Sequence, residues 1–529
     1  MKDTSKIKEI LNNEFKDVEN TKATINNLLT EDILEKLVLG IDKVDFKILA
    51  FPELPELIKE AEHLKNGLFE EDGTPINEND ADLKRLKSLQ KQISRYRLTK
   101  AHFLVLSIEQ LNKIAKLHKW ALCRKNGYIY LFNGFYWSTI EKELFQYFLG
   151  NVSLKMGVDK ITAKVHTYKD DLFKQFLSDS YLPNPTETKD KVLINLKNGT
   201  YEIDGNQRTL RDFKQEDFIT YQLPFEYNPQ AKYPLFQKFL DEVLPDEGKQ
   251  KVLAEYIGSL FIKRSVMKFE KMLVLYGTGA NGKSIVFEIV SALLGMENVS
   301  NYSLQNLTDD NGYYRSKIAN KLVNYSSEMS GKLQTDNFKK MASSEPIEAR
   351  LPYGEPFELY DYAKLIFNCN ALPRDVEHTN AFFRRFLILH FDVTIPEDKQ
   401  DIDLASKIIN NELSGIFNWV LEGLERVFKQ RGFTKCASVD NVLKDYQKQS
   451  DSVKMFIDES DFKPSVSDYI LINQLYPIYR EFCRDDGFIP VNKTNFKKRL
   501  IHHKVLVDRI SVGNVAYLTT KNISDDVEF

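Results

Sequence analysis

The chain has 529 residues and a formal net charge of −3. That length is too great for one ordinary domain and predicts about three or more folding units. The near-neutral charge excludes a protein that is basic throughout, so any contact with nucleic acid must lie in a local basic patch or in the lining of a ring.

The cysteines and the hydropathy pattern indicate a compartment. Cys123, Cys369, Cys436 and Cys483 are scattered, without a CxxC pair or a neighbouring cluster of His. This spacing argues against structural zinc and disulfides and fits a reducing cytosol. The N-terminus is too charged for a signal peptide, and no apolar run reaches membrane-spanning length. We expect a soluble intracellular protein.

The first half of the chain predicts helices followed by hairpins. Residues 1–105 read as Lys/Glu-patterned helices without evident chemistry, so a structural or partner-binding region is expected. In residues 106–265, Asn-Gly pairs at 133–134 and 198–199 stand between apolar runs and predict two β-hairpins. Helical periodicity then continues to residue 263.

The second half predicts a parallel sheet and then more helices. Residues 266–395 alternate short apolar runs with helical segments, which is typical of an α/β domain with a largely parallel sheet. Residues 396–450 read as helices. Residues 451–529 read as helices and a terminal hairpin joined at Gly513-Asn514, the outline of a winged helix.

The stretch GTGANGKS, residues 277–284, matches the pattern GxxxxGK[ST]. A strand-like run precedes it and a helix-like run follows, which is the context that a phosphate-binding loop requires. Backbone N–H groups and the helix N-terminus would bind phosphate oxygens, Lys283 would reach the β and γ phosphates, and Ser284 would hold Mg²⁺. The predicted ATP-contacting residues are Gly277, Thr278, Gly279, Ala280, Asn281, Gly282, Lys283, Ser284 and Ile285.

Polar residues at the ends of two later strands complete a hydrolytic set. Glu328 follows the apolar run NKLVNY and can polarise the attacking water, although a surface carboxylate at a strand end is the alternative. Asn370 ends KLIFNCN and can hydrogen-bond the γ phosphate or the water; alone, it would be read as a turn Asn.

FFRRFLILHF places Arg384 and Arg385 before a fourth strand. In a ring, an arginine here could enter the neighbouring ATP site and neutralise charge in the transition state. The alternative is a surface ion pair. The sequence does not decide which arginine would reach across; we prefer Arg385 because it directly precedes the apolar run.

Two basic stretches are candidates for DNA contact. The first, FKKMASSEPIEARLPYG, predicts a helix and two strands with cations and an aromatic ring near one turn, where a solvated hairpin is the alternative. The second, TNFKKRLIHHK, places positive charge on a presumed recognition helix, with a solvated helix as the alternative. The candidate DNA-binding residues are Lys339, Lys340, Arg350, Tyr353, Lys497, Lys498 and Arg499.

Together these stretches resemble superfamily 3 helicases, specifically the D5-like branch of phage, plasmid and mobile-element replication proteins. The motifs GTGANGKS, YSSE, FKKMASSEPIEAR, KLIFNCNALPR and FFRRFLILHF occur in that order. LINLKNGTYEID and the helical segment to Lys263 look like a D5 N-terminal domain, and ELSGIFNWVLEGLERV looks like the helical segment after the ATPase. The resemblance covers about residues 110 to 450.

The resemblance implies a multi-domain α/β protein with an AAA+-like P-loop core, a helical N-terminal region, a D5-type domain and a C-terminal winged helix. It implies a ring, expected to be a hexamer, that uses ATP and Mg²⁺ to move along single-stranded DNA in a bacterial cytoplasm. Lys283 and Ser284 would hold nucleotide and Mg²⁺, with Glu328 acting on the water, Asn370 as sensor and Arg385 as the trans finger.

The chain departs from the family pattern in two places. Ser343-Ser344 replace a glycine-bearing stretch in the basic motif, which puts the geometry of that loop in doubt. Residues 1–110 show no paired-acid primase site, so a separate primase is an expected partner, besides self and a duplex origin. The alternative function is a P-loop initiator or loading ATPase that binds an origin or remodels a protein without processive unwinding.

Overall fold

The computed structural model describes residues 30–70, 73–76, 79–125, 127–180, 191–327, 329, 334–352, 354–373, 377–460 and 462–520. They form two compact units, the first within Met1–Glu187 and Asp212–Gln222, the second within Thr188–Arg211 and Leu223–Phe529. The predicted segment 106–265 therefore contributes to both units. The boundaries of the five predicted segments stay predictions.

The first unit combines helices with one antiparallel sheet. Its helices are α1 (Thr30–Leu39), α2 (Phe46–Ala50), α3 (Leu54–Leu68), α4 (Asp80–Ile93), α5 (Lys100–Leu117), α6 (Lys142–Met156), α7 (Lys160–Lys164) and α8 (His166–Asp179). Its strands, in sheet order, are β1 (Ala121–Lys125), β2 (Tyr128–Phe132) and β3 (Trp137–Ile140). The predicted hairpin at Asn133-Gly134 is confirmed, since Phe132 pairs with Trp137 across that turn.

The sheet of the first unit buries both faces because its strands alternate. Ile129 and Leu131 of β2 belong to the main core with α1, α5, α6 and α8. Tyr130 and Phe132 point to the opposite face and pack with Phe218, as the period of two residues in a strand requires.

The second unit begins with an antiparallel sheet and two helices. The strands β4 (Lys191–Leu196), β5 (Gly199–Asp204) and β6 (Gln207–Arg211) pair in that order. Leu196 pairs with Gly199, so the predicted hairpin at Asn198-Gly199 is also confirmed. Helices α9 (Pro234–Val243) and α10 (Glu247–Ser259) follow.

The centre of the second unit is a five-stranded sheet with helices in the connections. The elements are β7 (Met272–Tyr276), α11 (Lys283–Leu294), β8 (Val299–Ser300), α12 (Leu304–Thr308), α13 (Tyr313–Lys317), β9 (Val323–Ser326), α14 (Thr335–Ala342), β10 (Ile347–Arg350), β11 (Pro356–Leu359), β12 (Lys364–Cys369), α15 (Asn380–Phe383) and β13 (Phe386–His390). The sheet order is β13-β7-β12-β9-β8, and every pair is parallel. The predicted parallel α/β sheet is confirmed.

This strand order decides where a site can form. In an open parallel sheet, ligands bind at the carboxyl ends of the strands. The strands β7, β12 and β9 are neighbours, so the residues that follow them meet at one edge. The strands β10 and β11 form a separate hairpin.

Helices α16 (Leu404–Gln430) and α17 (Ala437–Gln449) follow the sheet. Helix α16 packs tightly on α10, because a Cβ on Gly423 would lie 2.5 Å from the Ala254 carbonyl carbon. Between these helices the buried carboxylate of Glu255 pairs with Arg426 at 3.1 Å and accepts the Thr434 N–H at 2.7 Å. The buried charge is therefore compensated.

The C-terminal residues form a small helical body with short strands. Its elements are α18 (Ser452–Glu459), β14 (Phe462–Pro464), β15 (Ile470–Leu471), α19 (Ile472–Asp485), α20 (Lys493–His502), β16 (Val507–Ile510), β17 (Gly513–Ala516) and β18 (Leu518–Thr520). Their buried residues form one core, which includes Phe456, Tyr479 and Phe496. Ile510 pairs with Gly513, so the hairpin turns at residues 511–512, before the predicted Gly513-Asn514.

Candidate nucleotide site

The glycine-rich stretch forms the turn between β7 and α11. Its backbone visits the left-handed region, with φ of +57° at Ala280 and +85° at Gly282. A Cβ on Gly277 would lie 2.4 Å from the Phe391 carbonyl oxygen. Glycine is therefore required at 277 by close approach and at 282 by conformation.

Lys283 is the first residue of α11, and its side chain folds back over this turn. Its Nζ donates to the carbonyls of Gly277 (2.7 Å) and Thr278 (3.0 Å) and to Asn281 Oδ1 (2.8 Å). The residue is only 7% exposed. Burial lowers the pKa of the Lys283 ammonium from its ordinary value, because removal from water disfavours the charged form.

The turn is held to both neighbouring strands. The Gly277 N–H donates to the Cys369 carbonyl at the end of β12 (3.2 Å). After β13, the Phe391 carbonyl accepts from Asn281 Nδ2 at 3.1 Å, and the Ile395 N–H donates to the Ala280 carbonyl at 2.7 Å. Since three hydrogen bonds from these two segments fix the turn, its backbone is placed before any ligand arrives.

Helix α9 packs under Gly282. A Cβ at this position would lie 2.8 Å from Val243 Cγ1 and 3.0 Å from Phe239 Cε2. The N-terminus of α9 is in turn capped from α16, since Glu412 accepts the N–H groups of Leu235 (3.0 Å) and Phe236 (2.9 Å). A carboxylate there satisfies two open helix donors and complements the helix dipole.

The turn borders a pocket of about 720 Å³ at the carboxyl edge of the sheet. Its predicted lining residues are Gly279, Ala280, Asn281, Gly282, Lys283, Ser284, Ile285 and Asn370. Gly277 and Thr278 are not part of this lining, but their carbonyls hold Lys283. The structure thus brings most of the predicted nucleotide residues to one cavity.

Sequence reasoning missed two walls of this pocket. One is α9, through Leu235, Lys238, Phe239 and Glu242; the other is the segment from Ile395 to Leu404. Neither carries a recognisable pattern, and only the high amphipathicity of the segment around residues 234–243 could have marked it as a packing helix.

Strand β12 positions two asparagines, Asn368 within the strand and Asn370 just after it. Asn370 lies just beyond the strand, is exposed and lines the pocket. Asn368 was not predicted. It is nearly buried, donates to the Lys283 carbonyl at 3.3 Å and accepts from the Tyr325 hydroxyl at 3.1 Å. Asn368 therefore ties α11 to β12 and β9, while Asn370 remains available to a ligand.

Strand β9 brings its carboxyl end to the same pocket. Ser327, directly after the strand, lines the cavity. The predicted Glu328 lies outside the described residues, as does Tyr353 of the predicted DNA-contacting turn.

The two arginines before β13 occupy opposite environments. Arg385 is 7% exposed, and its Nε lies 3.2 Å from both the Lys339 carbonyl and Ser343 Oγ, while Nη1 bonds the Ala381 carbonyl. The Arg384 side chain is 59% exposed and pairs with Glu270. The Arg385 guanidinium is enclosed within its own chain, so Arg384 is the better placed of the two to reach a neighbouring subunit. The assignment of an arginine finger stays a prediction.

The predicted basic stretch forms α14 and the β10–β11 hairpin. Lys340 and Arg350 are exposed, and Arg350 Nε donates to the Gly354 carbonyl at 2.9 Å, which folds the hairpin tip. Lys339 differs, since its Nζ lies 2.6 Å from Glu377 Oε2. The side chains of this stretch therefore do not form a uniform cationic face.

The basic helix α20 is divided in the same way. Lys498 is exposed and Lys497 is partly exposed. Arg499 turns inward, and its Nη1 lies 3.3 Å from the buried carboxylate of Asp451. The position of Arg499 thus gives it an internal partner that the sequence did not reveal.

The described part of the chain contains neither a metal-ligand cluster nor a membrane-spanning helix. No group of three or more His, Cys, Asp or Glu side chains there is placed to hold a metal ion. The same residues contain no helix long and apolar enough to cross a membrane. All four cysteines are buried free thiols.

Comparison with known families gives three matches along the chain. Residues 109–245 match the family described as D5 N terminal like, and residues 448–526 match the family described as Poxvirus D5 protein-like. Two separate parts of the chain therefore resemble D5 proteins. Residues 275–385, which contain the turn and the sheet, match a family of unknown function, DUF5906.

A curated relative and solved structures resemble this chain at low identity. A protein of Acanthamoeba polyphaga mimivirus named as a helicase, L207/L206, is 25% identical over 245 residues. The match covers 43% of this chain and 24% of that protein, so the chain spans about a quarter of the relative's length.

Among solved structures, an A form apo structure of the NrS-1 C terminal region matches at 12% identity and a TM-score of 0.42, covering 77% of this chain and 98% of that one. A second apo structure of this region (305-718) gives a TM-score of 0.43 at 12% identity, covering 78% and 99%. A likeness at this level carries no argument about function.

Proposed function

We propose that this D5-like protein is an ATP-dependent DNA helicase of superfamily 3 that acts in replication of a phage, plasmid or mobile element. The observation that carries the proposal is the glycine-rich turn between β7 and α11, which opens on a pocket that also receives the ends of β9 and β12. The D5-like domains and the relative named as a helicase support the same direction.

The residues present fit a nucleoside triphosphate. A Cβ on Gly279 would meet no atom within 4 Å, so the turn has open space on its pocket side. Lys283 Nζ already makes three hydrogen bonds, which are all that an ammonium can donate. Lys283 must therefore exchange at least one loop acceptor for a phosphate oxygen when it binds nucleotide.

Mg²⁺ would bind through Ser284, whose exposed hydroxyl lines the pocket, together with phosphate oxygens and water. Such a mixed set is the usual one for this cation. When bound, Mg²⁺ would neutralise charge on the phosphates. Glu328 would orient and polarise the attacking water, and Asn370 would hydrogen-bond the γ phosphate or that water.

The ring is part of the proposal, with a hexamer as its expected form. In it, Arg384 would leave Glu270 and stabilise the transition state at the neighbouring ATP site. An exposed ion pair of this kind contributes about 0–1 kcal/mol of stability. Arg384 can therefore leave Glu270 at a small cost in free energy. We propose that Lys340, Arg350 and Tyr353 bind single-stranded DNA and that α20 binds duplex origin DNA. A separate primase would be the replication partner.

The test is ATP hydrolysis with and without single-stranded DNA, together with mass in solution with ATP. We expect DNA-stimulated hydrolysis and a ring-sized mass for wild type, and loss of hydrolysis in Lys283→Ala. The exposed Lys444→Ala serves as a control for the same substitution away from the pocket. A hydrolysis rate that does not change with DNA, or a protein that stays monomeric with ATP, would overturn the helicase proposal. The loading ATPase would then be the remaining function.

A further inference from the structure

A buried aspartate joins the C-terminal body to the segment that carries Arg384. Asp451 is 1% exposed and precedes α18, where its Oδ1 accepts the N–H groups of Val453 (3.1 Å) and Lys454 (3.3 Å). These two bonds are the ordinary helix-cap role of an aspartate. They leave Oδ2 and part of Oδ1 for other partners.

Three cationic or titratable side chains from two other segments take up that capacity. His503 Nε2 lies 2.7 Å from Oδ2, and Arg499 Nη1 lies 3.3 Å from Oδ1. From the other side, His378 Nδ1 lies 3.6 Å from Oδ2, and its Nε2 lies 2.7 Å from the Gln447 carbonyl of α17. A simple cap needs none of these contacts.

The electrostatics agree with this geometry. Burial by itself raises the pKa of Asp451, but the hydrogen bond from His503 and the charges of His378 and Arg499 outweigh it, so the pKa lies below its ordinary value. Burial lowers the pKa of His378, against opposing contributions from the Gln447 carbonyl and Asp451. The carboxylate stays ionised because its partners compensate it.

His378 stands on the short segment Glu377–Arg385, which leads to the exposed arginine. Lys339 Nζ lies 2.6 Å from Glu377 Oε2. Thr379 caps the start of α15, since its Oγ1 accepts the Phe382 N–H at 3.2 Å. The His378 and Phe383 rings pack with centroids 5.0 Å apart. The position of His378 therefore constrains α15, whose end carries Arg384.

On the far side of Asp451 lies the basic helix α20. Arg499 and His503 face inward to the aspartate, while Lys498 and His502 face solvent. A ligand that shifts α20 would act directly on two of the partners of Asp451. Packed elements with discrete side-chain arrangements transmit such shifts.

We propose that Asp451 is a positioning residue that couples DNA bound on the exposed face of α20 to the placement of Arg384. This inference rests on the proposed function for its effect on ATP hydrolysis. The mechanical link itself is a property of the fold, so it can be tested without hydrolysis.

The experiment compares Asp451→Asn with Asp458→Asn in the full chain. Asp458 lies on α18 and pairs with Lys454. The Asp458→Asn substitution removes the same charge from a residue that contacts neither α20 nor the Arg384 segment. By hydrogen exchange, we expect Asp451→Asn to raise exchange in residues 377–385 and in α20, with Asp458→Asn unchanged. If α20 and Arg384 are coupled, an excess of random-sequence duplex should stimulate ATP hydrolysis by wild type. In the presence of that duplex, kcat should fall about tenfold in Asp451→Asn, with KM within about twofold of wild type.

Exchange that rises only in α18 and α20 would overturn the coupling and leave a local cap. If wild type hydrolyses no ATP, the proposed function fails, while the exchange result still decides the link. If Asp451→Asn does not fold, His378→Gln removes the contact of Asp451 on the side of Arg384, together with the packing of His378 on Phe383 and its bond to Gln447. It leaves the contacts between Asp451 and α20 intact. It should raise exchange in residues 377–385 and abolish duplex stimulation while α20 is unaffected; unchanged exchange and stimulation would overturn the proposal.

Discussion

The candidate nucleotide pocket and helix α20 were both predicted from short local patterns, but the two patterns specify different properties. In the glycine-rich turn, the pattern specifies backbone geometry, and the structure brings most of the predicted residues to one cavity. In α20, the pattern specifies only charge. There the fold turns Arg499 and His503 toward Asp451 and leaves Lys498 outside.

The difference has a physical origin. A left-handed φ or a close backbone approach admits very few residue types, so glycine at a given position is nearly a geometric statement. A lysine or arginine is compatible with any exposed surface and can equally well compensate a buried carboxylate. The experiments below test whether glycine positions are specified by backbone geometry and whether charged positions depend on their partners in the fold.

The largest effect is expected at Arg384. If it is the finger of a ring, Arg384→Ala should lower kcat on the order of a thousandfold while the thermal midpoint stays unchanged, because the side chain is exposed. Arg385→Ala is the matched control and should instead lower the thermal midpoint, because it leaves buried acceptors unpaired.

Mixing sharpens the test. Lys283→Ala and Arg384→Ala subunits, each inactive alone, should recover part of the hydrolysis when combined, because one site in the mixed ring can receive both intact groups. No recovery in a mixed assembly of demonstrated ring mass would contradict action between subunits.

A smaller effect is expected at Gly282. Alanine there meets a φ of +85° and Val243 Cγ1 at 2.8 Å, a strain on the order of 1–3 kcal/mol. The free energy of unfolding, and with it the thermal midpoint, should therefore fall in Gly282→Ala, because the strain is present in the folded chain and absent from the unfolded one. Gly279→Ala, which meets no atom within 4 Å, should keep the wild-type thermal midpoint. Equal behaviour of the two variants would show that the turn is not geometrically specified.

The stability contributed by Asp451 should depend on pH. Its pKa in the fold lies below the value of about 3.9 in an unfolded chain. The stabilisation is therefore present above about pH 3.9 and is lost as the pH falls further. Urea unfolding should show Asp451→Asn less stable than wild type by about 2 kcal/mol at pH 7, with the gap narrowing progressively as the pH falls below about 3.9. A gap independent of pH would mean that the carboxylate charge is not the stabilising feature.

The smallest effect concerns binding of duplex DNA. If Lys498 contacts a phosphate, Lys498→Ala should reduce the slope of log affinity against log salt by about 0.9. Fluorescence anisotropy across a salt series measures this slope. Arg499→Ala should leave the slope unchanged and lower stability instead, because Arg499 faces Asp451. Loss of slope in both variants would indicate that Arg499 also contacts DNA, as the sequence predicted.

The sequence by itself determined the parallel sheet, both Asn-Gly hairpins and the position of the glycine-rich turn. These follow from residue periods, from turn chemistry and from backbone conformations that only a few residues adopt. It also placed Asn370 at the end of a strand, because a strand that ends in a polar residue is visible in one dimension.

Tertiary structure alone decided which charged side chains are exposed. The pairing of Lys339 with Glu377 and the capping of α9 by Glu412 join residues 38 and 177 positions apart. Arg385 is buried against Lys339 and Ser343, 46 and 42 positions away. The contribution of α9 to the pocket and the contacts around Asp451 are of the same kind. Such contacts depend on how whole elements pack, because a charge is compensated by whichever group the fold brings near it, and no local pattern records that choice.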